Sequence, residues 1–405
     1  MSVKRSRAEK PEIKAQTAYR GIGAIIVMLA HFVILKATPQ GTDFILDLGT
    51  NVTIVLDLFF VLSGYIMAYI YADVFTDGIR ARPTRKFFWN RLVRTYPLHI
   101  FAILVLLIER AVQVWLASRG SGFVGSDDAT FFNFFDTPWR LVTSIFLLHA
   151  WGLNTELSWN FPSWALSAEF AAYFTFPFLC LVIGRFGRRG ALMLIAFSAI
   201  SYFIIVNVFG TINNVPAMIG ALRSIPGFAL GVAAYTLSGP MRTMSRSRLE
   251  VFQTLAFAAT MAAFVYADNQ MLIVAGIAVT LVATSENRGW VSTMFSWQPL
   301  QFLGKISYTI YVMHVVTGYA MSPFLRILGE RLGVDEASWW LTAGILAKMV
   351  GTVIVSTIAF NVIEMPARVL LERTVARRRH PSGGVVPPSA PAATPTTQQT
   401  EVSKA

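Results

Sequence analysis

Residues 19–31 read YRGIGAIIVMLAH, an apolar run with an arginine at its start and a histidine at its end. Eleven residues of α-helix turn through about 1,100° and rise about 16 Å, so Arg20 and His31 share one helical face. In a hydrocarbon core about 30 Å thick, one side chain lies near the membrane edge and the other near mid-depth. The stretch therefore predicts a membrane helix with a cation at one end and a titratable group inside.

The composition places the whole chain in the membrane. Of 405 residues, 55% are hydrophobic and 14% charged, and the mean hydropathy is +0.55; soluble domains average about 25% charged residues. The fold class predicted is all-α, a polytopic membrane protein. Cys180 is the single cysteine, which rules out an intramolecular disulfide and a cysteine-based metal site, and no metal is expected. The net charge of +12 is interpreted as a topology signal, and no nucleic-acid partner is expected.

Hydropathy predicts about ten transmembrane helices. They cover residues 20–38, 51–71, 92–117, 162–184, 190–209, 217–238, 250–267, 270–285, 300–325 and 338–362. With this assignment, 26 of the 34 Lys and Arg residues fall on one side and six on the other. The positive-inside rule then predicts that both termini are cytosolic, in a multi-pass protein of a bacterial cytoplasmic (inner) membrane.

The chain divides into three parts. Residues 1–18 are a basic cytosolic N-terminus without the pattern of a cleavable signal peptide, 19–370 the transmembrane domain, and 371–405 a basic and then Pro/Ala/Thr-rich tail predicted to be disordered. The longest outer loop is 118–161. Its apolar run 141–153 is too short to span a bilayer and predicts an interfacial or re-entrant piece.

Four ionisable residues fall in the central zone of predicted spans: His31, Asp57, Glu169 and His314. Such residues are costly in a membrane and usually functional, and they would converge on one polar cavity if their helices are suitably rotated. The alternative is structural: a histidine can bond a neighbouring helix, and Glu169 can pair with Arg223 or Lys348.

Smaller patterns add further candidates. Arg91 and Arg94, at i and i+3 ahead of Pro97, could join Arg20 in an anion site, because guanidinium groups bind phosphates. Within a span, Ser63-Gly64 indicates either close helix packing or close approach of a substrate. A polar face also runs along the ninth span; it consists of Ser307, Tyr311 and His314.

Six motifs in order resemble the acyltransferase 3 family of integral-membrane O-acyltransferases. They are, along the chain, Arg20 and His31; Phe59-Phe60 with Ser63-Gly64-Tyr65; Arg91, Arg94 and Pro97; Pro162-Ser163-Trp164 with Leu166, Ser167 and Glu169; Gly304 and Ile306-Ser307-Tyr308 with Tyr311 and His314; and Glu364 with Pro366. The acidic residue that often precedes the first arginine is absent, since the chain reads Thr17-Ala18-Tyr19. The esterase-like periplasmic domain of some members is also missing, so the chain resembles the stand-alone exopolysaccharide and macrolide acyltransferases.

The resemblance implies transfer of an acyl group, acetyl above all, from cytosolic acyl-CoA to a hydroxyl of a surface or exported glycan or glycoside. Acyl-CoA would be a co-substrate, and no tightly bound cofactor is expected. His31 would be the general base and Glu169 its orienting partner. Arg20, Arg91 and Arg94 would bind CoA phosphates, with oxyanion or substrate contacts from among Asp57, Ser63, Gly64, Ser307, Tyr308, Tyr311 and His314.

Two other functions explain spans and buried charges equally well. One is a transporter or flippase of a lipid-linked glycan. The other is a non-catalytic subunit of a complex with polysaccharide-synthesis proteins. Neither explains why Arg20 and His31 share a face, nor the motif set, and dependence on acyl-CoA discriminates among the three.

Overall fold

The structure, a computed structural model, describes residues 10–34, 53–119, 136–266, 269–334 and 338–370. These residues are helical apart from their connections, and no strand occurs among them. The predicted tail 371–405, most of the N-terminal segment and the outer part of the first span lie outside the described residues.

The helices are numbered here in chain order. They are α1 (Lys14–Ile34), α2 (Val55–Phe75), α3 (Ala81–Ser118), α4 (Pro138–Ile145), α5 (Trp164–Phe186), α6 (Arg188–Phe209), α7 (Ala221–Leu237), α8 (Arg246–Tyr266), α9 (Gln270–Ala283), α10 (Gly289–Met294), α11 (Gln298–Leu332) and α12 (Ser338–Ala359). A π-helical turn, Phe360–Glu364, continues α12.

Each of the ten predicted spans coincides with a helix, and the all-α, polytopic prediction is confirmed. In the described part of the chain, seven helices have the length and apolar composition of a membrane span. The other three predicted spans depart from that standard: α7 and α9 have only 17 and 14 residues, and the central part of α11 contains polar residues such as Ser307, Thr309 and His314. A 14-residue helix is about 21 Å long, short of the hydrocarbon thickness of about 30 Å.

Local sequence explains several helix ends. Thr137 caps α4, since its side chain accepts a hydrogen bond from the amide of Arg140, and Pro138 occupies the first helical turn. This eight-residue helix and the turns that follow form the short segment predicted at 141–153. Gly187 separates α5 from α6 with φ of 54°, a left-handed value that glycine adopts readily.

Helix α1 packs along α11 in the same direction, at a contact between two glycines. A Cβ atom on Gly21 would lie 2.6 Å from the backbone nitrogen of Gly304, and one on Gly304 would lie 2.1 Å from the carbonyl oxygen of Thr17. Such distances require glycine, because only glycine lets the backbones approach so closely. We call the end where α1 begins and α2 ends the basal end and the opposite end the apical end; at the basal end Lys10 bonds the carbonyl of Tyr69.

Helices α2 and α7 form the second close pair. A Cβ atom on Gly64 would lie 2.0 Å from the carbonyl oxygen of Phe228, and one on Gly231 would lie 1.9 Å from that of Val61. Of the two interpretations of Ser63-Gly64, the structure therefore displays close helix packing for Gly64.

A buried ion pair also joins α2 to α7. Arg223 donates to Asp57 from Nε (2.9 Å) and Nη2 (2.5 Å), and both side chains are buried. Tyr202 on α6 donates to the other oxygen of Asp57 at 3.0 Å, and Arg223 also donates to the carbonyl of Thr53 at 2.8 Å. The partner of Arg223 is thus Asp57 and not Glu169.

Replacing Gly64 with alanine should destabilise the protein by roughly 1–3 kcal/mol, because the added methyl group forces α2 and α7 apart. Gly239 is the control, since a Cβ atom there meets nothing within 4 Å. Thermal unfolding of the two variants in detergent measures the difference. Equal melting temperatures for Gly64→Ala and Gly239→Ala would contradict the packing argument.

Removing one member of the Asp57–Arg223 pair should cost about 3–5 kcal/mol, because it leaves a buried charge without its partner. The double variant Asp57→Leu/Arg223→Met should regain a large part of that stability. Melting temperatures of the two single variants and the double variant test this expectation. A double variant that melts below both single variants would contradict it, and a stable double variant without activity would give the pair a functional role beyond stability.

Candidate functional site

A narrow cavity lies between α1, α2, α3, α5 and α11, with a volume of about 120 Å³. We call it the inner cavity. Its basal part is lined by Arg20, Arg91 and Arg94, and its middle by Glu169, Ser63 and Tyr308. Its apical part is apolar and is lined by Leu56, Phe59, Phe60, Ala165 and Leu166, with Tyr311 beside them. Polarity therefore falls from the basal to the apical end.

Two of the three arginines have a buried donor without a partner. Arg91 is buried, and its Nη2 donates to the hydroxyl of Tyr71 at 3.2 Å. The buried Nε atoms of Arg20 and Arg91 have no hydrogen-bond partner within the described residues. Unsatisfied guanidinium donors that line a cavity are the chemistry of an anion site.

Glu169 is the carboxylate of the inner cavity. It accepts a short hydrogen bond from the hydroxyl of Ser63 and another from the hydroxyl of Tyr173 at 2.6 Å. The sequence predicted Glu169 as the orienting partner of His31, but these bonds direct it toward α2 and its own helix instead. A different residue takes that place.

The partner of His31 is His314. Nδ1 of His31 lies 2.8 Å from Nε2 of His314, and the two rings are nearly parallel, at 6°. Nδ1 of His314 lies 3.3 Å from the carbonyl oxygen of Ile310, which can only accept. This network assigns a proton to Nδ1 of His314, so its Nε2 accepts the Nδ1 proton of His31. Nε2 of His31 is then left unprotonated, as a base requires.

One aromatic residue separates the histidine pair from the inner cavity. Tyr311 lines the cavity, and its ring centroid lies 5.9 Å from that of His314 and 6.2 Å from that of Phe59. Its hydroxyl donates to the carbonyl of Pro162 at 2.5 Å. His31 itself is half-buried, with the edge of Phe161 against it.

The hydroxyls proposed as oxyanion donors are already engaged. Tyr308 donates to the carbonyl of Thr95 at 2.5 Å, and Ser307 donates to that of Gly304 at 2.9 Å. Ser63 donates to Glu169. Each would have to exchange its present acceptor to stabilise an oxyanion.

Four predicted site residues do not line this cavity: His31 and His314 lie beyond Tyr311, and Asp57 and Gly64 face α7. Asp57 is held by Arg223, and Gly64 lies against the backbone of α7. The predicted convergence of four ionisable groups is therefore incomplete: His31 meets His314, and Glu169 lies along the inner cavity among the arginines. Lys348, the other cation considered for Glu169, donates to Ser322 instead.

A second cavity opens at the basal end and meets the first at Arg20, Ile66 and Arg94. We call it the vestibule. Its volume is about 480 Å³, and its other charged residues are Lys10, Glu12, Lys305 and Arg368. Sequence reasoning counted these cations only as topology signals. The position of Lys305 directly after Gly304 was the one sequence hint that it lies beside α1.

Most of the chain, residues 17–360, matches the family profile described as an acyltransferase domain (Acyl_transf_3). YrhL of Bacillus subtilis (strain 168), provisionally named a peptidoglycan O-acetyltransferase, is 24% identical over 80% of the chain and 51% of its own length. The peptidoglycan O-acetyltransferase OatA of Listeria monocytogenes is 24% identical over 77% of the chain and 51% of its own. The acyltransferase MdmB of Streptomyces mycarofaciens is 24% identical over 88% of the chain and 92% of its own length.

The chain thus spans about half the length of the two peptidoglycan relatives. No solved structure matches it. The profile covers α1 to the π-helical turn and so contains all the residues of the inner cavity and the histidine pair. The chain belongs to the acyltransferase family that this domain defines.

Proposed function

We propose that the protein is an inner-membrane O-acyltransferase that moves an acetyl group from acetyl-CoA to a hydroxyl of a glycan or glycoside. The observation that supports this most is the cavity itself, which begins among cations at the basal end and ends beside the histidine pair. The names of the two peptidoglycan O-acetyltransferases support the acetyl group and a glycan acceptor, and the name of MdmB supports acyl transfer. Family membership favours transfer over transport.

The donor fits the cavity in three sections. The diphosphate of CoA would lie at the basal part, which Arg94 lines together with Arg20 and Arg91, whose Nε atoms have no hydrogen-bond partner within the described residues. The slim pantetheine arm follows the inner cavity, where the carboxylate of Glu169 can accept from an amide of the arm. The rise of about 16 Å from Arg20 to His31 brings the thioester to the border at Tyr311.

His31 then acts as the general base. Its Nε2 takes the proton of the acceptor hydroxyl as the oxygen attacks the thioester carbonyl carbon. The tetrahedral intermediate collapses with cleavage of the carbon–sulfur bond, and the protonated His31 returns the proton to the departing thiolate. His314 is a positioning residue, because its Nε2 holds the Nδ1 proton of His31 and so fixes the tautomer.

We expect His31→Ala to lower kcat for acetyl transfer about 10²–10⁴-fold, the usual contribution of a general base. His314→Ala should lower kcat by a smaller factor, and His314→Gln should restore part of it, because the amide oxygen of glutamine can accept the Nδ1 proton. Transfer of label from acetyl-CoA to the envelope polysaccharide of membrane vesicles measures each variant at equal expression. Full activity of His31→Ala would overturn the assignment.

Arg20→Ala should raise the apparent KM for acetyl-CoA about tenfold, the scale of one charge-assisted hydrogen bond to a phosphate, with a smaller effect on kcat. The control is Arg189→Ala. Arg189 is exposed at the start of α6. It lies at the basal end, because Gly184, five residues before it, packs against Thr76 at that end. A KM for Arg20→Ala that equals the control would argue against a phosphate site at Arg20.

A further inference from the structure

The vestibule and the inner cavity differ fourfold in volume and share three lining residues, Arg20, Ile66 and Arg94. The vestibule measures about 480 Å³ and the inner cavity about 120 Å³, and both are lined by Arg20 and Arg94 at their junction. A ligand that fills both has a bulky part outside the junction and a slender part inside it. In the proposed donor, these parts are the phosphorylated adenosine and the pantetheine arm.

The vestibule carries an excess of positive charge. Beyond the two junction arginines, its cations are Lys10, Lys305 and Arg368, and its one carboxylate is that of Glu12, which accepts from Thr17 at 2.6 Å. Two of these three cations are engaged. Lys10 pairs with Asp73 at 3.2 Å, and Arg368 pairs with Glu364.

Lys305 differs from the others. It is exposed, and it forms no ion pair or hydrogen bond through its side chain within the described residues. Its backbone is fixed, however, because the preceding Gly304 lies directly against the carbonyl of Thr17 on α1. The same glycine contact fixes Gly21 and hence Arg20. The backbone of a lysine whose ammonium group has no partner within the described residues is therefore fixed beside the vestibule.

We infer that Lys305 and the vestibule bind the 3′-phosphate of the donor and so distinguish CoA from 3′-dephospho-CoA. The inference rests on the proposed function. The pyrophosphate lies on the line of the arm and reaches Arg20 and Arg94. The 3′-phosphate branches from the ribose, is too bulky for the inner cavity, and stays in the vestibule, where Lys305 is the uncommitted cation.

A phosphate at this position also has a second source, since anionic lipid headgroups lie near the edge of a bilayer and share the same chemistry. The two sources differ in a way that binding experiments resolve. A site for the 3′-phosphate discriminates between two soluble ligands that differ by this group, in neutral lipid as well as in anionic lipid.

The test uses the full chain in nanodiscs of phosphatidylcholine, with dissociation constants for CoA and 3′-dephospho-CoA measured by calorimetry. The wild type should bind CoA about tenfold more tightly, the scale of one charge-assisted contact. Lys305→Ala should bring the ratio near one by weakening the binding of CoA alone. Lys305→Arg should keep the preference, as should Arg85→Ala, which removes an exposed cation at the start of α3.

The possible outcomes distinguish a failure of the 3′-phosphate site from a failure of the proposed acyl-CoA donor. If the wild type binds neither ligand, the proposed donor is wrong and the inference falls with it. If it binds both equally, or if Lys305→Ala keeps the preference, the inference is wrong while the acyl-CoA donor stands. A ratio of one combined with binding of short-chain phosphatidylglycerol that depends on Lys305 would assign the residue to lipid phosphate and overturn the inference.

Discussion

The contact between Gly21 on α1 and Gly304 on α11 determines where every candidate site residue of these two helices lies. A single methyl group at either position would meet backbone atoms of the other helix at 2.6 Å or less. The contact sets both the separation and the register of the helices. Because of it, Arg20 reaches the junction of the two cavities and His31 reaches His314 near the apical end. A shift of one residue in either helix would rotate its side chains by about 100°, which would separate His31 from His314 or turn Arg20 away from the junction.

The close pair of helices α2 and α7 supports the wall of the inner cavity that faces α1 and α11. Gly64 lies against the backbone of α7, and Asp57 binds Arg223 on the same side of α2. This leaves Ser63 and Phe59 to line the inner cavity. The buried ion pair is thus a structural device that fixes one face of α2 so that its other face can form a site.

The sequence predicted the helices and the shared faces of Arg20 with His31 and of Arg91 with Arg94, because these depend on spacing within one helix. Arg20, Arg91, Arg94 and Glu169 do line one cavity. The partners across helices were not predictable, since a single sequence contains no information on helix rotation. Asp57 therefore appeared as a site candidate although it pairs with Arg223, and Glu169 appeared as the partner of His31 although His314 holds that position.

Four residues of α11, spaced three apart, mark the path from the vestibule to the histidine pair along a line that winds half a turn around the helix. Lys305 lines the vestibule, Tyr308 the middle of the inner cavity, Tyr311 its apical border, and His314 holds the tautomer of His31. The nine residues from Lys305 to His314 rise about 14 Å, close to the 16 Å from Arg20 to His31 on the parallel helix α1. The candidate site residues of α1 and those of α11 therefore extend over nearly the same distance along the two helix axes. A donor bound by its phosphates at the basal end can present its reactive group at the histidines only if its arm has that length.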